Sequence, residues 1–438
     1  MTRNRISIAV AALMLVAAAA LFGGTFRESS SASPALQTAQ SGEEFSAGFS
    51  LNQSTGAFVQ QLQSALRANP KDQRSAALLG LAYQQRARET GNSDYYTRSE
   101  GILRRALELD SADALAVSGF GSLALARHDF RLALELGRRA VSLAPDTARH
   151  HGVVGDALIE LGRYAEAFRA FDTMTRLRPS LSSYSRVSYG RELLGDTPGA
   201  IEAMELAVDA ATNAVEPTAW TRVQLGKLHW NHGRLAAAAR EYRLALATLP
   251  GYPYALDALA LVEAARGRLG RAIALERQAV QAVPLPQYVA TLGDLYAAAG
   301  RPQAARDQYE LVGAIQRLLR SNGVRTDLEL ALFDLDHGIR PARALIRARA
   351  AHAARPSIDG DDVLAWALER NGRCAEALPH SRRALRLGTQ DALKLFHRGM
   401  IERCLGREAQ AREWFRRALD LNPHFSLLWS PVARKALA

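Results

Sequence analysis

AWTRVQLGKLHWNHGRLAAAAREYRLALATLP, residues Ala219–Pro250, is the stretch that decides the fold. Its apolar residues recur at helical spacing on either side of Gly233, which predicts two amphipathic helices joined by a tight turn. Leu225-Gly226 lies within the first helix, where a side chain larger than Gly or Ala would hold the second helix away. Gly233 ends that helix in the left-handed conformation that costs glycine least. Ala238 and Tyr242 interlock a small and a large group on the second helix, and Pro250 stops it.

The same pattern repeats outward. Pro145 to Pro179 and Pro250 to Pro284 are 34 residues apart, as are Gly121 to Gly155, Gly226 to Ala260, Ala331 to Ala365 and Ala365 to Gly399. Further copies carry Val154-Gly155, Gly162, Ala167, Phe171 and Pro179; Leu292-Gly293, Tyr296, Gly300, Ala305 and Tyr309; and Gly399, Gly406, Ala411, Phe415, Ala418 and Pro423. With this period and these residues in register, the chain from about Phe58 to Pro423 resembles the tetratricopeptide repeat family. The resemblance implies an all-α, right-handed α-solenoid of about ten helical hairpins, here placed at residues 57–423 with a capping helix over 424–438. A single hairpin cannot bury its apolar face, so stability comes from stacking into a continuous core. Three intervals depart from the period: Gly80 to Gly121 is 41, Ser188 to Gly226 is 38 and Gly293 to Ala331 is 38. The extra residues predict loops or lengthened helices there.

The composition fits helices rather than sheets: 48% of residues are hydrophobic but only 7% aromatic. A net charge of +11 raises the question of a polyanion partner. Only four of the 55 basic residues are lysines, however, and the arginines are scattered with no block of like charge, which argues against nucleic acid. Arg-driven binding of an anionic polymer stays as an alternative, with steep salt dependence as its signature.

At the N-terminus Arg3 and Arg5 precede an apolar run, Ile6 to Phe22, followed by Gly23-Gly24. That order predicts export through residues 1–24, either as a signal cleaved near Ala20 or Ala32 or as a retained membrane anchor. The expected location is periplasmic or extracellular. Residues 25–56, rich in Ser, Ala, Gly and Gln, predict a flexible linker, and Asn52-Gln53-Ser54 forms a formal glycosylation sequon within it.

No nucleotide-binding loop, nucleophile elbow, zinc-protease or calcium-loop pattern occurs, so the sequence predicts no enzyme, no cofactor and no metal site, the lesser alternative being an enzyme with an unrecognised site in the groove. His229 and His232 share a helix face but lack a third ligand, and packing histidines are the better reading. Asp359, Asp361 and Asp362 precede Leu364, where carboxylates would cap a helix start. Given antiparallel helices as in the family, Cys374 and Cys404 lie at one edge of the stack. An exported protein could bridge them there, or they are two partly buried thiols.

Family members bind peptides or partner helices on the concave surface lined by first helices, and the resemblance implies an open channel of that kind here. Trp220, Val223, Lys227, Trp230 and Asn231 fall opposite the packed Leu225 and Gly226. Neighbouring first helices add Tyr189 with Glu192 and Tyr254 with Asp257. The candidate partner-binding set is therefore Tyr189, Trp220, Lys227, Trp230, Asn231 and Tyr254, the alternative being that Trp220 or Trp230 packs between hairpins. The carboxylate clamp of some chaperone-binding members needs Lys, Asn and Arg at several first-helix positions. Lys227 and Asn231 match in isolation, so the clamp is not carried over.

Overall fold

The computed structural model describes residues 54–211 and 215–438, and every element among them is helical. The predicted signal or anchor, most of the linker and Asn52 of the sequon lie outside the described residues. No helix among the described residues is long and apolar enough to cross a membrane.

Helix α1 (Thr55–Ala68) precedes ten hairpins. In chain order they are α2 (Gln73–Thr90) with α3 (Asp94–Leu109), α4 (Ala114–Ala126) with α5 (Phe130–Leu143), and α6 (Ala148–Glu160) with α7 (Tyr164–Leu177). Next come α8 (Leu181–Leu193) with α9 (Thr197–Asp209), α10 (Val215–Asn231) with α11 (Leu235–Thr248), and α12 (Pro253–Ala265) with α13 (Leu269–Ala282). The last four are α14 (Pro286–Ala298) with α15 (Pro302–Ser321), α16 (Asp327–Asp336) with α17 (Pro341–Ala354), α18 (Ile358–Glu369) with α19 (Cys374–Ala384), and α20 (Ala392–Cys404) with α21 (Glu408–Leu421). Helix α22 (Trp429–Leu437) ends the chain, and the residues from Asn422 to Leu428 before it are irregular. The intervals that break the 34-residue period are taken up largely by longer helices: α2, α10 and α15 have 18, 17 and 20 residues.

Within a hairpin the small residue of the first helix seats the aromatic ring of the second. A Cβ on Gly155, Gly226, Gly293 or Gly399 would stand 2.3, 2.4, 2.4 or 2.5 Å from a ring carbon of Phe171, Tyr242, Tyr309 or Phe415. Second helices bury a stripe, as in α21, where Ala411, Phe415 and Ala418 are covered at helical spacing. The first helices α18 and α20 are covered all round: α18 buries every residue from Ile358 to Leu368, and α20 every residue from Ala392 to Glu402.

The reason is that the coil returns onto itself. His128, after α4, donates its Nδ1–H at 2.8 Å to the Arg325 carbonyl before α16, and the Ile358 amide of α18 donates to the Tyr164 hydroxyl at 2.7 Å. Thr389, before α20, donates to the Leu193 carbonyl at the end of α8. Each contact joins the turn of one hairpin to the start of the hairpin six places on, so successive turns of the solenoid touch. Gly162 and Gly195 make this approach feasible: both have positive φ (71° and 76°), and a Cβ would lie 2.4 Å from the Pro356 carbonyl oxygen or 2.5 Å from that of Gly388. Buried charge crosses the same seam, with Arg355 paired to both Glu160 and Glu329. The open channel expected from the sequence is therefore largely filled by the inner faces of the opposing turns.

Candidate functional site

What remains of the channel is a partly open cavity of ≈ 170 Å³. First helices α8, α10, α12 and α14 form one wall through Glu192, Trp230 with Asn231, Asp257 with Leu261, and Gln287 with Thr291. The residues opening α20, Thr389 to Leu393, and the C-terminal segment, including His424 to Leu427 and Arg434, form the other. The segment is pinned across the turn. Asn422 donates to the Trp230 carbonyl at 2.9 Å, and Leu427 packs against the apolar cluster that holds Leu292, Leu295 and Tyr296. Trp429 and Trp366 both donate their indole N–H to Asp336, at 3.1 and 2.9 Å. The C-terminal residues thus do more than cover the last hairpin: they close the site.

Of the six residues singled out in the sequence, Trp230 and Asn231 line the cavity, and Asn231 donates to Glu192 at 3.0 Å. Trp220 is only 2% exposed and packs in a cluster with Val223, Tyr242 and Leu259, so it lies between hairpins rather than in the channel. Tyr189 is buried in a cluster that includes Phe171 and Ile358. Tyr254 lies between Tyr252 and Tyr288, tilted to the first ring at 5.2 Å and edge-on to the second at 6.1 Å, and Lys227 is half-buried outside the cavity lining. Glu192 and Asp257, named beside the aromatic candidates, are lining residues. Thr291 stands one period after Asp257 and was legible from that register; the contribution of the C-terminal segment had no signal in the repeat.

The other chemical candidates are accounted for by neighbours. His232 shares a 2.8 Å hydrogen bond with Thr197, and burial holds both His229 and His232 below the usual imidazole value. Ser357, not an aspartate, caps α18 by accepting from the Gly360 amide. The three aspartates instead turn to cations, which corrects the capping assignment: Asp359 to Lys394 at 2.8 Å, Asp362 to His397 at 3.0 Å, and Asp361 to His352, His380, Arg383 and Arg386. Burial alone would raise the Asp361 carboxyl, but hydrogen bonds from His352, His380 and Arg383 hold it well below the carboxylate range. His352, His380 and Asp361 are the one set among the described residues whose spacing suits a metal, but two guanidinium groups at 3.0 and 3.1 Å already neutralise the carboxylate and repel a cation. Cys374 and Cys404 form a disulfide, with Cα atoms 6.0 Å apart, that ties α19 to α20.

The profile of the tetratricopeptide repeat matches residues 118–182, 223–285 and 363–424. Over those three stretches the helical hairpins are similar to tetratricopeptide repeats. The matched stretches fall on hairpins described above, and the remaining hairpins keep the same helix pairing. No curated protein matches the chain. Among solved structures, the human IFIT1 dimer with PPP-AAAA is 14% identical over 88% of this chain and 94% of that one, at a TM-score of 0.45. The Cut9–Hcn1 hetero-tetramer of APC/C is 15% identical over 92% and 86%, at 0.39. YrrB, a TPR protein with an unusual peptide-binding site, is 20% identical over 42% and 92%, at 0.29. At such scores none of these likenesses informs the shape or the partner of this chain.

Proposed function

We propose that this chain is a non-enzymatic interaction scaffold that works outside the cytoplasm and takes a peptide segment of a protein partner at the inner cavity. The observation that carries the reading is the cavity itself, where four first helices converge with an indole, an amide and carboxylates around one opening. Aromatic and hydrogen-bonding groups gathered in a concave site are what a few strong contacts require. The repeat fold agrees with a scaffold role, and the Cys374–Cys404 disulfide agrees with an oxidising compartment.

Panning a random peptide library on the full chain, then on Asn231→Ala and Trp230→Ala, tests the site. Captured peptides should bind the variants at least tenfold more weakly while both variants keep the wild-type circular dichroism. Equal capture by folded variants removes the cavity as the site. Location is read from cell fractions by thiol alkylation and N-terminal sequencing. The protein should be found outside the cytoplasm with both cysteines blocked; a cytosolic pool with two free thiols overturns the location.

A further inference from the structure

Four buried side chains meet where successive turns of the coil touch. Glu160 ends α6, Arg355 precedes α18, Glu329 lies on α16 and His128 follows α4, and none of them is more than 8% exposed. Arg355 donates through Nε to Glu160 and through Nη1 to Glu329 at 3.0 Å, and its guanidinium lies 5.4 Å from the centre of the Phe130 ring. Among the described residues it is the only guanidinium or ammonium bonded to either carboxyl. One positive charge thus answers two acids.

The groups around the pair do not change that balance. His128 gives its Nδ1–H to the Arg325 carbonyl at 2.8 Å, and burial, against the pull of Glu329 3.9 Å away, holds the imidazole below its ordinary pKa. Asp359 of α18 also faces Glu160, and Lys394, the ammonium nearest to it, is held at 2.8 and 2.7 Å by Asp359 and Asp391. The other titratable neighbours are Tyr164 of α7 and Tyr189 of α8, phenols that burial keeps neutral. With both carboxyls ionised, the seam would hold an unmatched negative charge away from water, and Oε2 of Glu329 is buried with no donor. Such a charge is costly, and a buried acid answers by keeping its proton. Burial outweighs the pull of Arg355 and, with Asp359 and Glu329 beside it, pushes the Glu160 carboxyl up to about 7. Because two acids share one guanidinium, the proton belongs to the pair.

We propose that this proton closes the coil: held by the Glu160–Glu329 pair, it keeps the two turns joined, and its loss lets the seam open between His128 and Glu160 on one side and Glu329 and Arg355 on the other. An open seam returns Glu160 to water and to its ordinary 4.5, so the closed form keeps a proton that the open form loses. Closure is therefore strongest below pH 4.5, weakens as pH climbs to about 7, and stays at the lower level above. Nothing in this closure depends on what the cavity binds.

Deuterium exchange of the full chain, read by mass spectrometry at pH 5 and pH 8 with labelling times scaled to the intrinsic rate, tests it. Two amides that donate across the seam report the opening: Arg325, to the Arg127 carbonyl at 3.1 Å, and Ile358, to the Tyr164 hydroxyl at 2.7 Å. Their protection should fall at least about tenfold from pH 5 to pH 8 in the wild type, and less than about threefold in Glu160→Gln, which has no proton to lose. Should Glu160→Gln fail to fold, Glu329→Gln gives the same reading, since it too leaves one guanidinium facing one acid. About 1 M urea should speed the exchange of these amides less than about threefold, because opening a seam exposes little surface. Wild-type protection that is equal at the two pH values overturns the closure, as does a glutamine variant that follows the wild type. Acceleration by urea of about tenfold or more also overturns it, because the amides would then exchange through global unfolding.

Discussion

Hairpins α10/α11 and α12/α13 are neighbours built to one plan, and they differ where the plan matters most. In the first, Tyr242 lies on Gly226; one period later the same two positions hold Glu276 and Ala260. Both second-helix residues are buried, at 1% and 0% exposure. The ring contributes dispersion and apolar burial to the seam between helices, whereas the carboxyl contributes neither and has no hydrogen bond. A buried group of that kind lowers stability, so its presence beside a lining residue of the cavity indicates that local packing yields there to another demand. The comparison separates what builds the coil from what equips its interior.

The largest effect should come from erasing the packing side of the comparison. Tyr242→Ala removes a ring seated on Gly226 and leaves a cavity, which costs about 3–5 kcal/mol. Urea unfolding followed by circular dichroism should show the midpoint fall by the corresponding amount, and a loss below about 1 kcal/mol would mean the ring is not a keystone of the hairpin. Gly226→Ala sharpens the same point from the other side. Its Cβ would lie 2.4 Å from a Tyr242 ring carbon, so the hairpin must open, at about 1–3 kcal/mol. Ala260 already has that methyl group, and it is fully buried, so Ala260→Gly should cost the helix-propensity difference of about 0.5–1 kcal/mol plus about 0.8 kcal/mol for the methyl removed from the core.

How much of this was legible beforehand follows the same division. The hairpins were readable because close helix approach demands glycine at Gly155, Gly226, Gly293 and Gly399, and that demand recurs every 34 residues or nearly so. Trp230, Asn231, Glu192 and Asp257 were readable as inner-face residues from the same register. The placement of Trp220 was not settled by register, because its helix is packed from more than one side and an inner face in one turn becomes an interior in the next. The return of the coil onto itself depends on contacts such as Tyr164 with Ile358 and Asn422 with Trp230, nearly 200 residues apart, and no local pattern announces them. Nor did spacing show that Asp361 would be surrounded by His352, His380, Arg383 and Arg386 rather than capping its helix.

The effect that vanishes at low pH belongs to the carboxyl side of the comparison. Burial first, and then the neighbouring charge of Asp257, raise the Glu276 pKa well above its ordinary 4.5. The folded chain therefore keeps a proton that the unfolded chain loses. Stability supplied by that protonation is fully present below pH 4.5 and declines as pH climbs toward the folded-state value. Glu276→Gln is neutral throughout and cannot share the decline. Below pH 4.5 the variant and wild type should unfold within about 0.5 kcal/mol of each other. Between pH 5 and 8 the variant should become progressively the more stable of the two, as measured by urea midpoints on matched samples. A constant offset across that range would place the Glu276 charge outside the pH dependence of folding, and the two hairpins would then differ in packing alone.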